Sequence, residues 1–322
     1  MDEGTLAFMI ELDTPHNVGQ PAYVEEGVKS NYKWLKSKEG VYAMVQDSET
    51  VDRIEPGMYA LSQDNRGGLH ASVFTISADE LFDLPDNHID ELIAESEKFW
   101  SKAVEFKKYN FIHSRGCLLH GSGGNGKTAI IDQLAQKLVK RGGLVFVITN
   151  TNELMWYISF MQDNLRIADP ERDVIVIIED IDTYCQNENV ERTILNWLAG
   201  SDAINHQFVI ATTNHYDELS DLLLRPGRLD IHIEVGKPIP AKKEAYLIAK
   251  GLDKDTAHKW ANSTDGFSLA EIKELFVAVV LLDIDYEKAK KKVNEQAAAV
   301  INNTSKRLRK RDETMGFTFT KK

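Results

Sequence analysis

The chain has 322 residues, of which 43% are apolar and 27% charged, a composition that excludes a disordered chain or a fibre and suits two or three domains of roughly 150 residues. Its net charge of −12 is unevenly spread: residues 1–100 hold 20 acidic against 7 basic side chains, whereas residues 286–322 hold 11 basic against 4 acidic. No apolar run reaches the roughly 18–20 residues of a membrane span, and the acidic start lacks a signal-peptide layout, so the expected location is cytoplasmic with no membrane anchor. The two cysteines, Cys117 and Cys185, form neither a CxxC pair nor a metal-ligand spacing and read as reduced thiols.

In chain order, residues 1–85 read as a small α+β N-terminal module. A helical stretch is expected over Tyr23–Leu35, then short alternating runs at Val41–Val45, Gly57–Leu61 and Ala71–Ile76, with a hairpin at Asp64-Asn65-Arg66-Gly67-Gly68. Apolar residues at helical spacing run from Asp90 to Tyr109. Strands and helices then alternate. Strands are expected at Cys117–Leu119, Leu144–Thr149, Val174–Ile178 and Phe208–Ala211, and helices at Lys127–Lys140, Glu153–Leu165 and Val190–Leu198. Strands that are apolar throughout and separated by helices imply a parallel sheet covered on both faces. After Pro238 and Pro240 the chain turns helical, with a capping box at Ser268-Leu269-Ala270-Glu271. The expected division is an α/β core over 86–238, a helical segment over 239–304 and a basic tail over 305–322.

Gly121-Ser122-Gly123-Gly124-Asn125-Gly126-Lys127-Thr128 fits GxxxxGK[ST] between an apolar strand and a helix. Glycines let successive backbone N–H groups converge on phosphate oxygens; Lys127 would neutralise the β/γ-phosphates of ATP, and the Thr128 hydroxyl would ligate Mg²⁺. The apolar strand Val174–Ile178 ends in Glu179-Asp180-Ile181-Asp182. Carboxylates there are costly unless they face a cation or water, which assigns Glu179 to the metal and Asp180 to the attacking water. Asp182 better suits a helix cap. Ala211-Thr212-Thr213-Asn214 ends the next strand with an amide that suits either the γ-phosphate and attacking water or a turn. Arg225 and Arg228, around Pro226-Gly227, suit bidentate phosphate contact in a neighbouring subunit's site or, read alone, an ordinary surface loop.

Together these motifs resemble the AAA ATPases over about residues 86–283, including Thr264–Glu271, which looks like the start of the family's lid helix. Ser114–Leu119, Glu179-Asp180 and Thr212-Thr213-Asn214-His215 are similar to the mitochondrial complex III assembly ATPases and their bacterial and phage relatives. The resemblance implies a five-stranded parallel core, a helical lid and a homo-oligomeric ring, usually of six subunits, with ATP between neighbours and a protein substrate to remodel or translocate. It also makes Asn214 the sensor residue and Arg225 and Arg228 fingers acting in trans. The chain departs from the family pattern in its Glu-Asp order, in Ser122-Gly123 where Pro-Pro is usual, and in lacking an evident aromatic-aliphatic-Gly pore loop. Met155-Trp156-Tyr157 lies near that loop's place, but core packing is the more frequent fate of such residues. The basic end, Lys288–Lys292 and Lys306–Arg311, reads as a solvated face, or as a contact for nucleic acid or an acidic partner. Two alternatives therefore accompany the remodelling ring: a nucleic-acid motor or loader, and a nucleotide-controlled scaffold with little turnover.

Overall fold

The computed structural model describes residues 32–36, 41–46, 51–64, 67–75 and 87–298. The N-terminal strands are β1 (Tyr32–Lys36), β2 (Val41–Gln46), β3 (Gly57–Gln63) and β4 (Leu69–Val73). The central strands are β5 (Ser114–His120), β6 (Leu144–Ile148), β7 (Val174–Ile178), β8 (Gln207–Thr213) and β9 (Ile231–Glu234). All nine belong to one sheet, ordered β1-β2-β4-β3-β6-β7-β8-β5-β9. The run β6-β7-β8-β5-β9 is the expected five-stranded parallel core. β9, too short and too polar to stand out in the sequence, closes its far edge.

Alternation along the central strands explains why two helical layers are needed. Leu144, Phe146 and Ile148 face one hydrophobic cluster with Val174, Val176 and Ile178, while Val145, Val147, Ile175 and Ile177 face another. The second face is covered by α1 (Asn87–Ser101), through Leu92, Phe99 and Trp100, and by α3 (Lys127–Lys140), through Ile131 and Leu134. A short helix, α2 (Ala103–Lys108), follows α1 after a break at Lys102. The first face is covered by α4 (Thr151–Phe160), which continues through a π-turn at Met161–Leu165, and by α6 (Glu188–Ala199); between them α5 (Ile181–Tyr184) follows β7.

The N-terminal strands extend this sheet. β3 runs parallel to β6, pairing Tyr59 with Phe146, and Tyr42, Ile54, Tyr59 and Leu61 share the first cluster. The expected helix over Tyr23–Leu35 is corrected where it can be compared: Tyr32–Lys36 is a strand, antiparallel to β2. Pairing with a β-rich neighbour overrides a helical spacing too short to hold a helix without packing. Tyr23–Asn31 lie outside the described residues, as do Asn65, Arg66 and Ile76, but β3 and β4 pair as the expected hairpin, closed by Asp64 N–H donating to Gly68 O at 2.9 Å.

The lid comprises α7 (Pro240–Ala249), α8 (Lys254–Ser263), α9 (Leu269–Phe276) and a further helix, α10, over 286–298. Leu247, Trp260, Ile272, Leu275 and Val293 form its own core. The Ser268–Glu271 capping box forms reciprocally, as the sequence predicts. No helix among the described residues is long and apolar enough to cross a membrane.

Candidate nucleotide site

The site is built where β5, β7 and β8 end. β5 runs into Gly121–Thr128, where Gly121, Gly124 and Gly126 have φ of +131°, +79° and +101°. Side chains rarely adopt these angles, so the glycines let the loop fold over the start of α3. The lid touches this loop: the Ala270 N–H donates to Gly124 O at 3.1 Å, and a Cβ on Gly124 would lie 2.8 Å from Ala270 Cβ. That contact is legible in the sequence only as the capping box that starts α9.

Lys127 is the hub. Its Nζ donates to Gly121 O at 2.5 Å, to Ser122 O at 3.2 Å and to Asn214 Oδ1 at 2.7 Å. Asn214 Nδ2 in turn donates to Asp180 Oδ1 at 3.0 Å. One chain of hydrogen bonds therefore joins the phosphate loop, the end of β8 and the end of β7. Burial lowers the Lys127 pKa, and the charges of Asp180 and Asp182 raise it in opposition. Thr128 Oγ1 lies 3.4 Å from Glu179 Oε1, so a hydroxyl and a carboxylate, both hard oxygen donors, face one another as Mg²⁺ requires.

Two strained or buried acids set the geometry of the β7 end. Asp180 has φ +49°, a left-handed conformation unusual for a side-chain-bearing residue, and its N–H donates to Thr212 Oγ1 at 3.0 Å. Asp182 corrects the sequence reading. It does not cap a helix but sits buried within α5 and accepts a 2.6 Å bond from Thr213 Oγ1, tying β7's exit to β8's. Neighbouring strand ends become adjacent only through the sheet, so no local signal marks this bond.

The arginine loop lies between β8 and β9. Leu223 and Leu229 are buried and anchor it, while Arg225 is exposed and Arg228 half-buried with its guanidinium on Leu222 O. Neither arginine is bonded to the Gly121–Thr128 loop of its own chain. Gly116 of β5 is required by this loop's approach, since a Cβ there would lie 2.0 Å from Arg228 O.

The Met155-Trp156-Tyr157 expectation divides. Met155 is exposed, Trp156 half-buried, and Tyr157 fully buried with its O–H donating to Gln207 Oε1 at 3.1 Å, so Tyr157 is a core residue. Cys117 is buried, and burial pushes the Cys185 thiol up to about 12, in keeping with unreactive thiols. On α10, Lys288, Lys291 and Lys292 are exposed opposite buried Ala289 and Val293, a solvated helix face; Lys306–Arg311 lie outside the described residues.

Residues 117–237 match the family described as ATPase family associated with various cellular activities (AAA). The chain carries an AAA ATPase family domain. Similar proteins include a vesicle-fusing ATPase of Dictyostelium discoideum, 28% identical over 52% of this chain and 27% of its own length. A proteasome-activating nucleotidase of Methanopyrus kandleri is 29% identical over 78% of this chain and 66% of its own length. An AAA ATPase forming ring-shaped complexes, from Bifidobacterium dentium, is 31% identical over 47% of this chain and 32% of its own length. The chain thus spans from about a quarter to two thirds of these relatives' lengths. The domain class is that of an ATPase.

Proposed function

We propose that the protein hydrolyses ATP to ADP and phosphate within a homo-oligomeric ring, ATP lying between subunits, and that it uses this cycle to remodel or translocate a protein substrate. The observation that carries the reading is the continuous Lys127–Asn214–Asp180 hydrogen-bond chain, which brings a phosphate-binding cation, an orienting amide and a proton-accepting carboxylate to one strand edge. Backbone N–H groups of Gly121–Gly126 and the N-terminus of α3 hold the phosphates. Lys127 leaves its carbonyl partners and Asn214 for the β/γ-phosphate oxygens. Asn214, released from Lys127, orients the attacking water beside Asp180. Asp180 takes the water's proton as its oxygen bonds to the γ-phosphorus and the bond to the β-phosphate oxygen breaks. Thr128 and Glu179 would hold Mg²⁺, which would neutralise phosphate charge there. Arg225 and Arg228 project from the arginine loop to a neighbour's γ-phosphate.

Ring assembly is supported by the Bifidobacterium relative's name, and remodelling by the vesicle-fusing and proteasome-activating names. The Glu179-Asp180 order and Thr212–His215 support a place near the complex III assembly ATPases and their bacterial and phage relatives.

The test pairs two variants. Lys127→Ala is expected to abolish ATP binding by calorimetry, whereas Asp180→Asn is expected to bind ATP with turnover reduced about a hundredfold. Full turnover in Asp180→Asn removes the proposed water-activating role. Turnover raised by DNA or RNA and not by unfolded protein would favour a nucleic-acid motor; ATP-dependent assembly without turnover would favour a scaffold.

A further inference from the structure

Tyr216 lies two residues beyond Asn214, at the start of a short 3₁₀ turn (Tyr216–Glu218), and the mechanism above does not use it. Its ring stacks obliquely on His120, with centroids 4.4 Å apart and planes at 39°. His120 is the last residue of β5, immediately before Gly121. On its other side Tyr216 meets His232 of β9, with ring centroids 6.0 Å apart in an edge-on arrangement. His232 Nε2 lies 2.7 Å from Leu229 O, a carbonyl that only accepts, so Nε2 carries the proton. In the neutral ring Nδ1 is then the acceptor, and the Tyr216 hydroxyl oxygen lies 3.4 Å from it. Leu229 closes the loop that carries Arg225 and Arg228. The backbone of Arg228 and Leu229 approaches Gly116, on the same strand that ends in His120.

A packed path therefore runs from the phosphate loop through His120, Tyr216 and His232 to the arginine loop. It also starts beside Asn214, the residue that must exchange Lys127 for nucleotide. We propose that Tyr216 is a positioning residue that couples the nucleotide state of its own subunit to the placement of the arginines it offers to the neighbouring subunit. Motion of the Asn214 strand end moves Tyr216, whose hydroxyl contact with His232 Nδ1 carries the movement through the His232 bond to Leu229 O and so to the loop. Burial lowers the His120 pKa, with His232 and Lys127 lowering it further and Glu234 opposing them, which keeps the ring neutral for stacking. The inference rests on the proposal that Arg225 and Arg228 act in trans.

The experiment mixes subunits and measures ATP binding and turnover separately, with co-assembly confirmed by differential tags. Tyr216→Ala alone is expected to bind ATP within about twofold of the parent protein and to turn over at least about tenfold slower. Mixed with Asp180→Asn subunits, which bind ATP and have intact Tyr216 and arginines, Tyr216→Ala sites beside such a subunit gain a working neighbour, and turnover per Tyr216→Ala subunit is expected to rise at least about threefold. Arg225→Ala mixed with Asp180→Asn is the reference. Recovery in the reference with none for Tyr216→Ala overturns the coupling and leaves the trans arginines standing. Failure of both pairs overturns the trans reading and the coupling with it, and unchanged turnover in Tyr216→Ala alone overturns the coupling directly. If Tyr216→Ala melts or loses ATP binding, Tyr216→Phe, which keeps the ring and removes only the O–H, decides: slower turnover rescued by mixing supports the proposal, and parental turnover overturns it.

Discussion

The two ends of β5 and β8 lie in the same pair of strands and follow opposite physical rules. At the ends where the strands begin, Gln207 is fully buried with both side-chain polar atoms partnered: Oε1 accepts from Tyr157 O–H at 3.1 Å and Trp197 Nε1–H at 3.2 Å, and Nε2 donates to Ser114 Oγ at 3.2 Å. Beside it, buried His113 stacks on Phe99 with centroids 4.1 Å apart and donates through Nε2 to Phe99 O at 3.0 Å. At the ends where they finish, Asn214 and Asp180 are exposed, and Lys127 is bonded to backbone carbonyls and an amide that phosphate oxygens can replace. Buried polar groups with every bond made fix a structure, because breaking any one strands a partner away from water. Exposed groups such as Asn214 and Asp180, and a buried lysine whose partners phosphate oxygens can replace, cost little to rearrange, which is what a nucleotide cycle demands.

That contrast can be broken by four measurements, from the largest expected effect to the smallest. Lys127→Ala should weaken ATP binding by about a hundredfold or more while leaving the melting temperature nearly unchanged; a large loss of stability would place Lys127 on the structural side. Gln207→Leu should cost about 2–4 kcal/mol in urea unfolding, because it strands the Tyr157 and Trp197 donors, and should leave ATP affinity intact. Asn214→Ala should slow turnover about tenfold or more with a stability change within about 0.5 kcal/mol. Comparable losses in both quantities would erase the distinction between the two ends.

The smallest effect is a pH dependence. Burial lowers the His113 pKa; Phe99 O opposes the shift, His206 and Arg166 add to it, and Asp173 opposes it. The folded state thus binds the proton less readily than the unfolded one, so His113 contributes stability above the unfolded value near 6.5 that is lost as pH falls through the folded one. Urea midpoints should fall from pH 7 toward pH 5, and His113→Phe should flatten that slope.

Legibility in the sequence follows the range of the forces involved. Gly121–Thr128 could be read because positive φ and a phosphate-sized backbone cradle are local demands that only glycine meets cheaply. Val174–Ile178 could be read because a strand buried on both faces needs an unbroken apolar run. Asp182 could not be read correctly, being decided by Thr213 on another strand, whereas the core packing expected of Tyr157 holds, its O–H partner being Gln207, 50 residues away. Tyr216 carries no motif at all, since its neighbours come from β5 and β9.

The sequence by itself determined the alternation of β5–β8 with helices, the phosphate loop, and Glu179, Asp180 and Asn214 at the strand ends, because each rests on backbone geometry or burial along a short stretch. Only the tertiary structure decided that Tyr32–Lys36 is a strand, that β1–β4 extend the central sheet, and that Lys127, Asn214 and Asp180 form one chain of bonds. Those outcomes depend on which strands lie side by side, and hydrogen bonding across a sheet joins residues with no regard to their separation along the chain.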